Sequence, residues 1–239
     1  MIKIALNGGW LRKEKPSIPI TVEEYKEELA WFRENGITHF HIHFRDQEGF
    51  DCLEMNDIRP QFEALKETFP DCMIGIGSPL GDGRTSELRF VQVSRWDSWK
   101  PDYISVNICE EGCNEFVKLL KKKQTPIEFG IFTMEDAKVF AAEGYNSIAL
   151  RVLIEVPCDR TPEATVANAK RIYEYLSNLY PNTEYVMHGE ESDTWAVIRY
   201  AQEKGLNWRI GLEDVDCDEH GNQISTNKEL YLHALELGL

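Results

Sequence analysis

Cations are scarce in this chain, and long apolar runs are missing. Lys and Arg number 26 against 41 Asp and Glu, a formal net charge of -15. The largest basic cluster is KKK at 121–123, so no basic face is offered to a nucleic acid. No run of about 18 apolar residues occurs, which argues against a helical membrane span. The opening MIKIALNGGW lacks the apolar core and small-residue cleavage site of a secretory signal. The six cysteines (52, 72, 109, 113, 158 and 217) include a single close pair, Cys109-x3-Cys113. Such scatter reads as free thiols of a reducing compartment, not as a disulfide framework. Linkers and low-complexity tracts are absent as well. Together these gaps predict a cytoplasmic protein with neither nucleic-acid nor membrane partners.

What is present is globular: 42% hydrophobic and 28% charged residues over 239 positions, enough to bury a core without disulfides or structural metal. Short β-rich runs alternate with amphipathic helical patterns from end to end. IKIAL, THFHIHF, MIGIG, DYISVNI, PIEFGIF, SIALRVLIE, EYVMHG and NWRIGLED read as strands. Each is followed by a helical segment; in the first, Tyr25, Leu29 and Phe32 recur at helical spacing and Gly36 ends the run. Eight strand-helix units in this length predict one (β/α)8 barrel domain over residues 1–239. The competitor is an open doubly wound sheet. It is disfavoured because the first strand-helix loop carries no G-x-G-x-x-G fingerprint.

Barrel chemistry sits at the C-terminal ends of the strands. Read in order, those ends offer Asn7, His41 with His43, Gly77 with Ser78, Asn107, Glu128, Arg151 with Glu155, His188 with Glu190, and Glu213 with Asp214. The densest stretch is HFHIHFRD, residues 39–46. Strand side chains alternate, so Phe40, Ile42 and Phe44 face the helices while His39, His41, His43 and Arg45 face the lumen. His41 and His43 stand about 6–7 Å apart along a strand, close enough to converge on one ion. Imidazoles facing inward need partners, and a divalent metal is the strongest. An isolated H-x-H is weak evidence; at a strand end in an acid-rimmed barrel it favours a metal. His39, lower on the strand, reads as a supporting or core histidine. Glu213 in RIGLED is the best third ligand, with His188 and Glu190 of HGEE as rivals. Taken alone, Glu213 reads equally well as a solvated strand end, and Asp214 as a helix or loop cap.

The motifs NGGWLRKEKPSIPITVEE, HFHIHFRD, SVNI, LRVLIE, HGEE and RIGLED, in that order, resemble the β-keto acid cleavage enzymes, the family of the 3-keto-5-aminohexanoate cleavage type. The resemblance covers nearly the whole chain and implies a zinc-dependent (β/α)8 barrel. It implies the exchange of a β-keto acid and acetyl-CoA for acetoacetate and a new CoA thioester, through an enolate and a retro-Claisen step. Carried over by position, it implies His41, His43 and Glu213 as zinc ligands and Asp214, oriented by Arg209, as general base. Asn7, Ser78, Asn107, Glu128 and His188 become substrate-binding candidates. A tetramer is the assembly it implies.

Three features depart from the pattern. The chain is shorter than most relatives, Trp10 and Leu11 follow NGG where smaller or polar residues are usual, and His39 replaces an apolar residue. On a straight strand Arg209 and Glu213 would stand about 13 Å apart, so the dyad requires an upward reach or a bulge near Gly211. The cations available to offset the anionic charge of CoA are Arg12, Lys13, Lys15 and Arg84. Two other readings stay open: a metal-dependent hydrolase or aldolase on a similar barrel, and a silent relative that binds an acidic metabolite.

Overall fold

A computed structural model describes residues 1–78, 80 and 85–239; Arg84 lies outside the described residues. Among the described residues, eight parallel strands close into a barrel in chain order. They are β1 (Ile2–Ala5), β2 (His39–Ile42), β3 (Met73–Ile76), β4 (Tyr103–Asn107), β5 (Ile127–Ile131), β6 (Ala149–Val156), β7 (Tyr185–Gly189) and β8 (Asn207–Ile210). The eight-unit barrel read from the sequence is therefore the observed fold, not an open sheet. The ring closes where Ile4 of β1 pairs with Phe40 on one side and Ile210 on the other.

The helices that cover it are α1 (Val22–Glu34), α2 (Met55–Thr68), α3 (Ser86–Ser94), α4 (Cys113–Lys123), α5 (Met134–Ala142), α6 (Pro162–Leu179), α7 (Thr194–Glu203) and α8 (Asn227–Glu236). Their starts are written locally. Thr21, Thr133 and Thr226 each accept from the third helical backbone N–H, and Glu24, Asp136 and Glu229 return the bond. Thr161 caps α6 ahead of Pro162, whose missing N–H costs nothing at a first helical position. No described helix is long and apolar enough to cross a membrane.

Alternation along the strands sorts the side chains. Phe40, Ile42, Ile74, Ile76, Ile104, Val106, Phe129, Ile131, Val152 and Ile154 point outward and are almost wholly buried beneath the helices. Each contributes on the order of 1.5–3 kcal/mol by leaving water. The inward positions are polar to an unusual degree. Lys3, Glu128, Arg151 and Arg209 are all buried there. In this lower layer Lys3 Nζ lies 2.5 Å from Glu128 Oε1, and Arg151 Nε lies 3.5 Å from Glu128 Oε2. Burial pushes the Lys3 amine down to about 8, against the upward pull of Glu128. The upper part of the lumen is left to the histidines.

Candidate metal centre and its acid-base neighbours

The ladder of β2 stops at Ile42, so His43 stands just beyond it. Asn7, two residues past the end of β1, replaces the missing pairing. Its Oδ1 accepts from His43 N at 2.9 Å and its Nδ2 donates to His43 O at 2.9 Å. The same Nδ2 reaches Pro19 O at 3.0 Å and Tyr25 Oη at 3.3 Å. Asn7 is thus wholly buried and fully engaged in holding the backbone of His43.

His41 Nε2 and His43 Nε2 come within 3.2 Å of each other. Each lies 3.5 Å from Glu213 Oε1. Among the described residues these three form the one group of three or more such side chains able to hold a metal ion. The fit can be tested on spacing. Bonds of about 2.0–2.1 Å to a tetrahedral zinc place neighbouring donors about 3.3–3.4 Å apart, close to the separations seen here. Glu213 Oε2 is also buried without a hydrogen-bond partner, a cost that an added cation would remove. His2Glu is a donor set that leaves a fourth position for substrate.

Space for these groups is made by two glycines. Gly77, after β3, has no room for a Cβ, which would overlap His43 Nε2. Gly8 adopts φ +53, and a Cβ there would come within 2.7 Å of Glu213 Cγ.

The expected gap between Arg209 and Glu213 closes because β8 ends at Ile210 and the chain turns. Asp214 N and Val215 N both donate to Gly211 O, at 2.9 and 3.1 Å. The turn brings both carboxylates down onto the guanidinium. Arg209 Nη2 lies 2.6 Å from Glu213 Oε1 and 2.6 Å from Asp214 Oδ1, while Nε donates to Asp214 Oδ2 at 3.1 Å. One nitrogen therefore links a candidate ligand to the candidate base.

The protonation states follow from these contacts. Burial holds His41 well below its usual value, so its ring is neutral. Burial also opposes charge on His43, but Asp51 and Glu213 outweigh it and raise the ring to about 9. Glu213, despite burial, is held well below the carboxylate range by Arg209 and the two histidines. His188 Nε2 sits 3.1 Å from Glu155 Oε2, an ion pair without hydrogen-bond alignment, and its Nδ1 lies 3.7 Å from Asp214 Oδ1. Against burial, Asp214 and Glu155 raise the imidazole, while His188 lowers Glu155. Glu190, half-buried, is raised by burial and by Glu155.

His41, His43, Glu213, Arg209, Asp214 and His188 thus meet at one mouth. Ser78 and Asn107 stand at the ends of neighbouring strands. Ser78 Oγ donates to Ser105 O at 2.5 Å, and Asn107 Nδ2 donates to Glu110 Oε1 at 3.1 Å. Glu128 and Arg151, read from sequence as rim residues, lie instead in the lower layer with Lys3. The height was misjudged because Glu128 is the second residue of β5 and Arg151 the third of β6. One residue escaped the sequence reading: Asp51, whose Oδ2 lies 2.6 Å from His43 Nδ1. Its signal was the turn RDQEGFD directly after the histidines.

A family model described as "beta-keto acid cleavage enzyme" matches residues 1–237. The chain is 30% identical over 94 residues to the 3-keto-5-aminohexanoate cleavage enzyme of Acetoanaerobium sticklandii, covering 39% of this chain and 34% of that protein. It is 32% identical over 75 residues to the enzyme of that name from Fusobacterium nucleatum, covering 31% and 28%. The aligned stretches thus span about a third of these curated relatives. Among solved structures, ObcA in a binary complex with oxaloacetate superposes with a TM-score of 0.70 at 15% identity, over 93% of this chain and 64% of that one. That likeness speaks to the fold.

Proposed function

The chain belongs to the beta-keto acid cleavage enzyme family, and from that premise we propose that it exchanges a β-keto acid and acetyl-CoA for acetoacetate and a new CoA thioester. The observation that carries this reading is the convergence of His41, His43 and Glu213 beside Asp214, with Arg209 Nη2 bonded to both carboxylates. His41, His43 and Glu213 would hold zinc, which supplies Lewis-acid chemistry to the keto group when bound.

The other steps belong to this chain's side chains. Asp214, 2% exposed and gripped by Arg209 through two nitrogens, takes a proton from the carbon between the keto and carboxylate groups. Arg209 fixes the direction of that carboxylate, so the base cannot swing toward solvent. The carbon nucleophile so formed attacks the thioester carbonyl of acetyl-CoA. Transfer of CoA to the original acyl carbon and carbon-carbon cleavage then release the new CoA thioester and the enolate of acetoacetate, which takes back the proton held by Asp214. Ser78 and Asn107 serve the developing oxyanions by exchanging their present acceptors, Ser105 O and Glu110, for substrate. His188, held by Glu155 at the same mouth, contacts the substrate beside the base. We assign Asn7 to holding His43 and Glu128 to the buried charge layer beneath the site.

The test is a panel of β-keto acids with acetyl-CoA, following acetoacetate release, on protein of measured metal content. One equivalent of divalent metal and CoA-dependent turnover are expected. Asp214→Asn keeps the metal and loses about 10²–10⁴ of the rate, whereas His41→Ala loses both. Equal metal loss in the two variants, or turnover without CoA, refutes the assignment.

A further inference from the structure

The two candidate histidine ligands are not supported alike. The Nδ1 of His41 is buried with no hydrogen-bond partner among the described residues. The Nδ1 of His43 faces the Asp51 carboxylate at 2.6 Å, and that carboxylate is itself nearly buried, with 5% side-chain exposure. The contact is produced by a local device. After β2 the chain makes a tight hairpin in which Arg45 pairs antiparallel with Asp51. Asp46 N donates to Phe50 O at 2.8 Å, and Cys52 N donates to Phe44 O at 3.0 Å. Asp46 also sets the turn from inside, with Oδ1 accepting from Glu48 N at 2.9 Å and Phe50 N at 3.0 Å. Gln61 Nε2 ties the hairpin to α2 by donating to Arg45 O at 2.6 Å. The hairpin folds the chain back so that a residue eight positions on reaches the outer nitrogen of His43.

From this geometry we infer that Asp51 is a positioning residue for a metal held by His41, His43 and Glu213. Accepting a hydrogen bond from Nδ1–H fixes the His43 tautomer with its lone pair on Nε2, the atom that faces Glu213 Oε1 at 3.5 Å. It also fixes the ring's rotation and makes Nε2 a stronger donor. Asn7 clamps the backbone of the same residue, so His43 is restrained at both ends, and His41 completes the site with a ring free of that constraint. The thirteen-residue stretch HFHIHFRDQEGFD then encodes two ligands together with the carboxylate that orients one of them.

The inference rests on the metal reading above, and the experiment separates the two. Zinc affinity is measured by chelator competition on wild type, Asp51→Asn and Asp51→Ala, at about pH 9, where proton competition for His43 has largely levelled off. Thermal melting of the metal-free proteins is followed in parallel. For Asp51→Ala the expected result is roughly 10–100-fold weaker binding at unchanged stoichiometry. Asp51→Asn, which keeps a hydrogen-bond acceptor but no charge, should fall between it and wild type. An affinity equal to wild type in Asp51→Ala overturns the inference. So does a fall in metal-free melting temperature with affinity preserved, because that marks a structural role alone. If Asp51→Ala fails to fold, the Asp51→Asn affinity decides on the same terms. Failure of wild type to bind one equivalent would instead remove the metal reading itself.

Discussion

Metal binding at this site should release one proton from one identified atom. In the metal-free protein three groups must present lone pairs, and only one carries a proton at mildly acidic pH. His41 is neutral because burial holds it well below its usual value, and Glu213 is ionised beside Arg209 and the histidines. His43 is the exception, raised to about 9 by Asp51 and Glu213 against the cost of burial. A raised value means the proton is bound below about pH 9 and must leave before Nε2 can ligate. Zinc affinity should therefore rise about tenfold, or 1.36 kcal/mol, per pH unit up to about 9 and level off there. The assay is isothermal titration of metal-free protein with zinc in buffers of different ionisation enthalpy. At about pH 6 a zinc-bound water, with a pKa near about 7, stays largely protonated and adds little. The slope of observed enthalpy against buffer enthalpy should report about one proton. Zero protons would mean that His43 is neutral in the metal-free state. Two would mean that His41 or Glu213 is also protonated, and either result refutes the charge assignment.

Other outcomes follow from the same packing. Gly77→Ala should fold, with the circular dichroism of the wild type, yet fail to retain metal, because its Cβ would displace His43 Nε2; full metal content by elemental analysis would contradict this. Lys3→Met should cost roughly 3–5 kcal/mol in urea melts, since Glu128 is left buried without its 2.5 Å partner. Adding Glu128→Gln should restore part of that loss, and strict additivity of the two changes would show that the pair is not coupled.

The barrel was legible because its information is local. Period-two runs separated by helical runs, and a count of eight such units, are all written in short windows. The convergence of the candidate groups was partly legible as well: His41, His43, Glu213 and Asp214, read from the strand ends, and Arg209, carried over from the resemblance, lie at one mouth. Alternation gives a strand residue's face, however, and not its height. Glu128 and Arg151 face the lumen as expected but sit below the site, where Lys3 reaches across from β1. A straight strand likewise set Arg209 too far from Glu213, since the turn after Ile210 depends on pairings that a sequence window does not contain.

The sequence by itself determined the repeating units, the inward face of the histidines and the kinds of group offered at the strand ends, because dihedral preference and hydrophobic period act over a few residues. Only the tertiary structure decided which groups touch. Barrel closure brings β8 against β1 and β1 against β2, so a carboxylate 170 positions after His43 becomes its neighbour. The Asp51 hairpin supplies a contact that strand alternation alone does not give. Donor convergence depends on distances of a few ångströms across strands, and those are set by closure and register rather than by any local preference.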